Sequence, residues 1–138
     1  MTETKVFISY RRSQPDIDFV ETLSKLLRAQ SGVSVWLDSQ EIKLGESWQK
    51  SIDQALRNAD VVVLVLSPAS SESEWVRNEI GLARKLDKVI IPILIAGEAS
   101  SIEMLNLRDV QFVDARQNYE NAISSLVTTL KRIRLPNP

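Results

Sequence analysis

Val61-Val62-Val63-Leu64-Val65-Leu66 is apolar at every position. A run of this length suits a central β-strand covered on both faces and is far too short to span a bilayer. Helix-like and strand-like patterns alternate outward from it in both directions. Upstream, Val6-Phe7-Ile8-Ser9-Tyr10 is a short strand-like run, and a helix opening near Pro15 carries Ile17, Val20, Leu23 and Leu27 before stopping by Gly32. Val33-Ser34-Val35-Trp36-Leu37 is a second strand, and a helix follows with Trp48, Ile52, Ala55, Leu56 and Ala59 on one face. Downstream come a helix within residues 71–86, a strand over 89–95, a short helix over 100–107 and a brief strand over 110–113. A last helix repeats Tyr119, Ile123, Leu126, Val127, Leu130 and Ile133. Pro92 falls inside the fourth strand, where a missing amide is tolerated only at a position that the ladder does not use.

Five β–α units imply right-handed crossovers and a parallel, doubly wound sheet with helices on both faces. The strand order expected for five is the flavodoxin-like 2-1-3-4-5, with ligands beyond the carboxyl ends of strands 1 and 3. The chain of 138 residues is expected to form a single domain over residues 1–138, and Leu135-Pro136-Asn137-Pro138 looks like a boundary to a further domain. A net charge of −1 offers no basic footprint for nucleic acid or an anionic membrane, and nothing at the N-terminus resembles a signal peptide, so the expected location is cytoplasmic. The absence of Cys and His excludes disulfides, thiolate nucleophiles, His general bases and most transition-metal sites. Any catalysis must come from carboxylates, hydroxyls, Lys, Arg or a bound ligand.

One acid breaks the pattern. Ser71 and Glu74 have the spacing of a capping box, so the helix after strand 3 is expected to start there. Val76, Ile80, Ala83, Leu86, Trp75 and Leu82 then share an arc of about 160°. Glu79 projects into the middle of that arc, where a carboxylate must be paired, protonated or facing a cleft. The fold-level rule puts this helix at the crevice to which strand 1 delivers Ser9-Tyr10-Arg11-Arg12. Familiar occupants of such a fold fail: strand 1 lacks the acidic pair that would cage magnesium and the Ser/Thr/Gly-rich loop of a flavin phosphate site. Neither Gly-x-Gly-x-x-Gly nor a Walker A sequence occurs.

Val6-Phe7-Ile8-Ser9-Tyr10-Arg11-Arg12 resembles the first box of TIR (Toll/interleukin-1 receptor-like) domains. Residues 38–45, with Trp48, Ile52 and Ala55, resemble the BB loop and following helix of the bacterial form. Ser73-x-Trp75-Val76-x-x-Glu79 is similar to the Trp-x-x-x-Glu motif of the NAD-cleaving branch. The resemblance covers essentially the whole chain. It departs at the loop tip, where Leu44-Gly45 replaces the usual Pro-Gly, and after strand 4, where residues 96–101 lack an aromatic. It implies that Glu79 is catalytic and that Phe7, Ser9, Tyr10, Arg11, Arg12, Asp38 and Trp75 shape a cleft for NAD+. NAD+ is then a substrate, with no separate cofactor and no metal. The products implied are nicotinamide and linear or cyclised ADP-ribose. The implied setting is immune or stress signalling, switched on by self-assembly with other TIR domains through Lys43, Leu44, Gly45 and Glu46.

On the residues alone, alternatives stand beside these roles. Glu79 also suits a structural ion pair with Arg11 or Arg12. Trp75 suits core packing or a cleft wall, Trp48 the core of its helix, and Asp38 the capping of a loop. Lys43 and Glu46 also suit solvated loop charges, and the whole surface suits a non-catalytic TIR–TIR interaction module.

Overall fold

The computed structural model describes residues 3–11, 14–37, 48–71, 73–100 and 112–134. Five parallel strands form one sheet in the order β2-β1-β3-β4-β5: β1 is Thr4–Ser9, β2 Val33–Leu37, β3 Val61–Leu66, β4 Val89–Leu94 and β5 Val113–Asp114. The helices are α1 (Asp16–Arg28), α2 (Trp48–Asn58), the single-turn α3 (Pro68–Ser71), α4 (Glu74–Lys85) and α5 (Tyr119–Arg134). The expected doubly wound fold and strand order are therefore those observed.

Side-chain alternation along the strands divides the interior into two cores. Val6 and Ile8 of β1, Tyr10 just beyond it, and Val61, Val63 and Val65 of β3 face one side, under Phe19, Val20, Leu23 and Leu27 of α1 and Ala122, Ile123, Leu126 and Leu130 of α5. Phe7 of β1 and Val62, Leu64 and Leu66 of β3 face the other, under Ile52 and Leu56 of α2 and Val76, Ile80 and Ala83 of α4. All six residues of β3 are fully buried, which is why the sequence cannot afford a polar position there. Truncating one of them, Leu64→Ala for instance, costs about 2–5 kcal/mol.

Pro92 sits within β4, paired with Leu64 of β3. The Ile95 amide donates to Leu66 of β3, whereas the Leu94 carbonyl accepts from Ala115 beyond β5. By alternation the nitrogen of Pro92 points toward β5, and the described ladder on that side begins only at Ile93. The proline falls where the ladder does not use its amide.

Two boundaries differ from expectation. Helix α4 starts at Glu74 with Ser73, not Ser71, as its N-cap; the Ser73 hydroxyl accepts the Val76 amide at 3.3 Å. Residues up to Ser71 are taken by α3, so Glu74 occupies the first turn as an acid favoured by the helix dipole instead of closing a capping box. Strand β5 is described from Val113, and the expected residues 110–111 and the short helix over 101–107 lie outside the described residues, as does the Trp48 side chain.

Candidate functional site

Strands β1 and β3 pair in parallel as far as Ser9 and Leu64, and from there the chain leaves β1 toward α1 and β3 toward α3 and α4. The two connections start on opposite sides of the sheet, opening the switch-point crevice of a doubly wound fold. Polar burial is concentrated here. Among the described residues, every buried polar or charged side chain except Thr4 lies at these strand ends or on the helices that follow: Ser9, Asp16, Ser24, Ser67, Ser70 and Glu79.

Glu79 lies on the buried face of α4 beside Val76, Ile80 and Ala83, 4% exposed. It is held from β1: the Ser9 hydroxyl donates to its Oε1 at 2.6 Å, the short distance typical of a hydroxyl on a carboxylate. Ser9 is on the α2/α4 side for the same reason as Phe7, since residues two apart on a strand share a face. Glu79 is among the residues that line a cleft of about 540 Å³ between α2 and α4, within the range of small-molecule sites. Lys50, Ile52, Asp53 and Leu56 line it from α2; Trp75, Asn78 and Leu82 line it with Glu79 from α4. Trp75 stands one turn before Glu79 and is 37% exposed, so much of its indole is a wall surface and not core. A second groove, about 450 Å³, runs along the sheet edge between β2 and α2, past Trp36, Ser51 and Asn58. Among the described residues no carboxylate lines it, so none of them opposes a developing positive charge there.

The structure brings Ser9, Trp75 and Glu79 together and separates them from two other expected cleft residues. Tyr10 is 2% exposed and belongs to the core under α1 and α5, on the far face of the sheet from Glu79. Phe7 is fully buried and stacks on Trp36 with ring centroids 5.0 Å apart. Both are supports beneath the site and not walls of it; strand alternation, which the motif itself does not display, decides this. Ser9 likewise orients the acid from behind, since it too is fully buried. Arg11 is exposed on the β1–α1 connection. Arg12, Asp38, Lys43, Leu44, Gly45 and Glu46 lie outside the described residues.

The sequence reading missed Asp16. It is the first residue of α1, completely buried, and neither carboxyl oxygen has a hydrogen bond among the described residues. Burial pushes its pKa above the ordinary carboxylate value, against the opposing pull of the Ser67 hydroxyl and of the backbone and charge of Arg11. The signal was present: Asp16, Phe19, Val20, Leu23 and Leu27 have the spacing of one helix face. An acid in a first helical turn is so ordinary that it passes for a dipole partner.

A family model for the TIR domain matches residues 6–127. Among curated proteins, the chain is 37% identical over 91 residues to the 2′ cyclic ADP-D-ribose synthase BtTIR of Bacteroides thetaiotaomicron, covering 63% of this chain and 31% of that protein. It is 36% identical over 75 residues to the NAD(+) hydrolase PdTIR of Paracoccus denitrificans, covering 54% of this chain and 24% of that protein. The chain thus spans about a third or less of the length of these relatives. Among solved structures, the TIR domains of the activated Roq1 resistosome superpose with a TM-score of 0.75 at 17% identity, covering 93% of this chain and 99% of that one. With the sheet order, the first-box strand and the buried glutamate on α4 in place, the chain belongs to the TIR domain family.

Proposed function

We propose that this domain cleaves NAD+ at the bond between nicotinamide and ribose, with Glu79 as the catalytic carboxylate. One observation carries the reading: a buried acid, fixed by a strand hydroxyl at 2.6 Å, forms part of the wall of a mostly apolar cleft. The names of the bacterial relatives, a cyclic ADP-ribose synthase and an NAD(+) hydrolase, point to the same chemistry.

Nicotinamide leaves NAD+ as a neutral base, so the step needs no general acid. The positive charge passes from the pyridinium to the ribose, through a state like an oxocarbenium ion, and a fixed carboxylate in a water-poor wall stabilises it there. Ser9 holds the carboxylate in one orientation, so little reorganisation is needed as the charge develops. Trp75 offers an aromatic face beside the acid, and Lys50 and Arg11 offer cations for the pyrophosphate. Attack by water yields ADP-ribose, and attack by a hydroxyl of the same molecule yields a cyclic isomer. This proposal needs neither metal nor second cofactor, and places the domain in the cytoplasm, signalling in immunity or stress when copies assemble.

The test is nicotinamide release from NAD+ by protein concentrated or displayed on a multivalent support. Turnover by wild type that is lost in Glu79→Gln supports the proposal. A silent wild type in the assembled state, or an active Glu79→Gln, leaves the chain as an interaction module.

A further inference from the structure

Cleavage of NAD+ leaves one proton to place. When the C–N bond to nicotinamide breaks, its electron pair departs with the neutral base and no proton moves. When the new C–O bond forms at the ribose, the attacking water or hydroxyl must give up its proton. Glu79 is a poor acceptor for it. It is 4% exposed and already takes the Ser9 hydroxyl at Oε1, so a proton bound there has little access to solvent. Trp75 and Asn78 are not bases, and Lys50 is a cation. Among the described residues that line the cleft, the remaining acceptor is Asp53 of α2.

The setting of Asp53 suits that task. Helices α2 and α4 both run back from the carboxyl ends of parallel strands, and each gives the cleft about one residue per turn. Lys50, Asp53 and Leu56 follow in that order along α2, and Trp75, Glu79 and Leu82 along α4. The two acids thus hold the middle step of the two walls. Asp53 is tethered by Arg57, one turn further along α2, whose Nε donates to Oδ2 at 3.0 Å. Arg57 is anchored in turn, its carbonyl accepting from Lys88 Nζ at 2.8 Å. Among the described residues nothing else bonds the Asp53 carboxylate, which leaves Oδ1 as an acceptor. The Asp53 side chain is 41% exposed, so a proton taken there passes on to water.

We infer that Asp53 is a second catalytic residue: the base that takes the proton from the attacking water or hydroxyl, while Glu79 stabilises the cation. The inference rests on the catalytic reading of Glu79. The C–N bond breaks with its electron pair on nicotinamide, and the C–O bond forms from an oxygen lone pair. The O–H proton goes to Asp53 and from there to solvent, so both carboxylates end as they began. A pyridine base that attacks the same cation has no proton to lose. Capture by nicotinamide itself, which re-forms NAD+, therefore bypasses Asp53.

The experiment gives NAD+ and isotopically labelled nicotinamide to assembled wild type and to Asp53→Asn. It reads the ratio of oxygen-captured product, ADP-ribose and its cyclic isomer together, to label exchanged into NAD+. Each folded molecule sets this ratio, so partial unfolding of the variant does not alter it. In Asp53→Asn the ratio is expected to fall by about a hundredfold, the lower end of what a positioned base contributes. In wild type it is expected to fall in heavy water, where the transferred proton becomes a deuteron. An unchanged ratio in Asp53→Asn overturns the inference, as does an absence of exchange from both proteins. If the variant does not fold at all, an unchanged wild-type ratio in heavy water overturns it instead. Nicotinamide release with an unchanged ratio leaves the reading of Glu79 standing. An assembled wild type that neither releases nor exchanges nicotinamide defeats that reading, and the role of Asp53 with it.

Discussion

Asp16 and Glu79 break the same rule in two places, each an acid on the apolar stripe of a helix that follows a central strand. Their surroundings then diverge. Glu79, on the α2/α4 side, has a hydroxyl partner at Oε1 and lines a cleft of about 540 Å³. Asp16, on the α1/α5 side, is completely sealed and has no hydrogen bond among the described residues. A stripe violation therefore marks a place where folding tolerates a cost, and the presence of a cleft at one of the two and not at the other is what sets them apart.

The comparison breaks most directly at Glu79. Replacing it with Gln keeps the shape and an oxygen for Ser9 but removes the charge. Nicotinamide release is expected to fall at least about a hundredfold, the scale of losing one preorganised electrostatic group. The thermal midpoint is expected to hold or rise, because a buried charge has gone. A variant that unfolds while the remaining folded fraction turns over normally would make Glu79 a structural acid.

Ser9→Ala is the next step down. It leaves the carboxylate in place without its orienting donor. A hydrogen bond to a charged group is worth about 1.5–3 kcal/mol, which corresponds to a loss of about ten- to a hundredfold in kcat. If KM rises instead while kcat holds, Ser9 touches substrate and the orientation role is wrong.

At Asp16 the expected effect is on stability. Its folded pKa lies above the unfolded value of 3.8, so the contribution favouring the fold is full below that value and is lost as pH rises through the folded one. Asp16→Asn does not lose this contribution. Its thermal midpoint relative to wild type should therefore climb with pH, where removing an ordinary surface acid would give a flat difference. Thermal melts from mildly acidic to mildly alkaline pH read the slope, and an unchanging difference would mean that Asp16 is hydrated in solution.

How these two acids were read shows what a sequence makes legible. The fold followed from the run at residues 61–66 and from the periodicity around it, because a strand buried on both faces tolerates no polar position. Glu79 was legible as a lone polar intruder. Asp16 obeyed the same geometry, yet an acid after Pro15 also fits a helix start, and local rules could not choose between the two. The Tyr10 side chain was misplaced because the first-box motif lists residues in order, whereas a strand sends neighbours to opposite faces; Ser9 reaches Glu79 and Tyr10 the other core. The helix start was misplaced because Ser71 and Ser73 are both competent caps, and α3, which the pattern did not reveal, consumes the first.

The smallest effect is expected at the exposed acid that best contrasts with the buried pair. Asp114 of β5 is held by Arg116 through a 2.7 Å salt bridge, and the Arg116 Nη1 also donates to the Gly97 carbonyl at 3.2 Å. The hydrogen bonds from Arg116 lower the Asp114 pKa to about 2. Here the sign is opposite to that at Asp16: the contribution is present above the unfolded value of 3.8 and is lost as pH falls toward about 2. Both side chains stay substantially exposed, so solvent and salt screen most of what the short distance suggests. Arg116→Ala should lower the thermal midpoint only slightly at neutral pH, less so in high salt, with the difference closing near pH 2 and nicotinamide release unaffected. A large, salt-insensitive loss would show instead that the bond to Gly97 ties the β4 and β5 ends together, which would make that exposed acid part of a structural clasp and end its contrast with the buried pair.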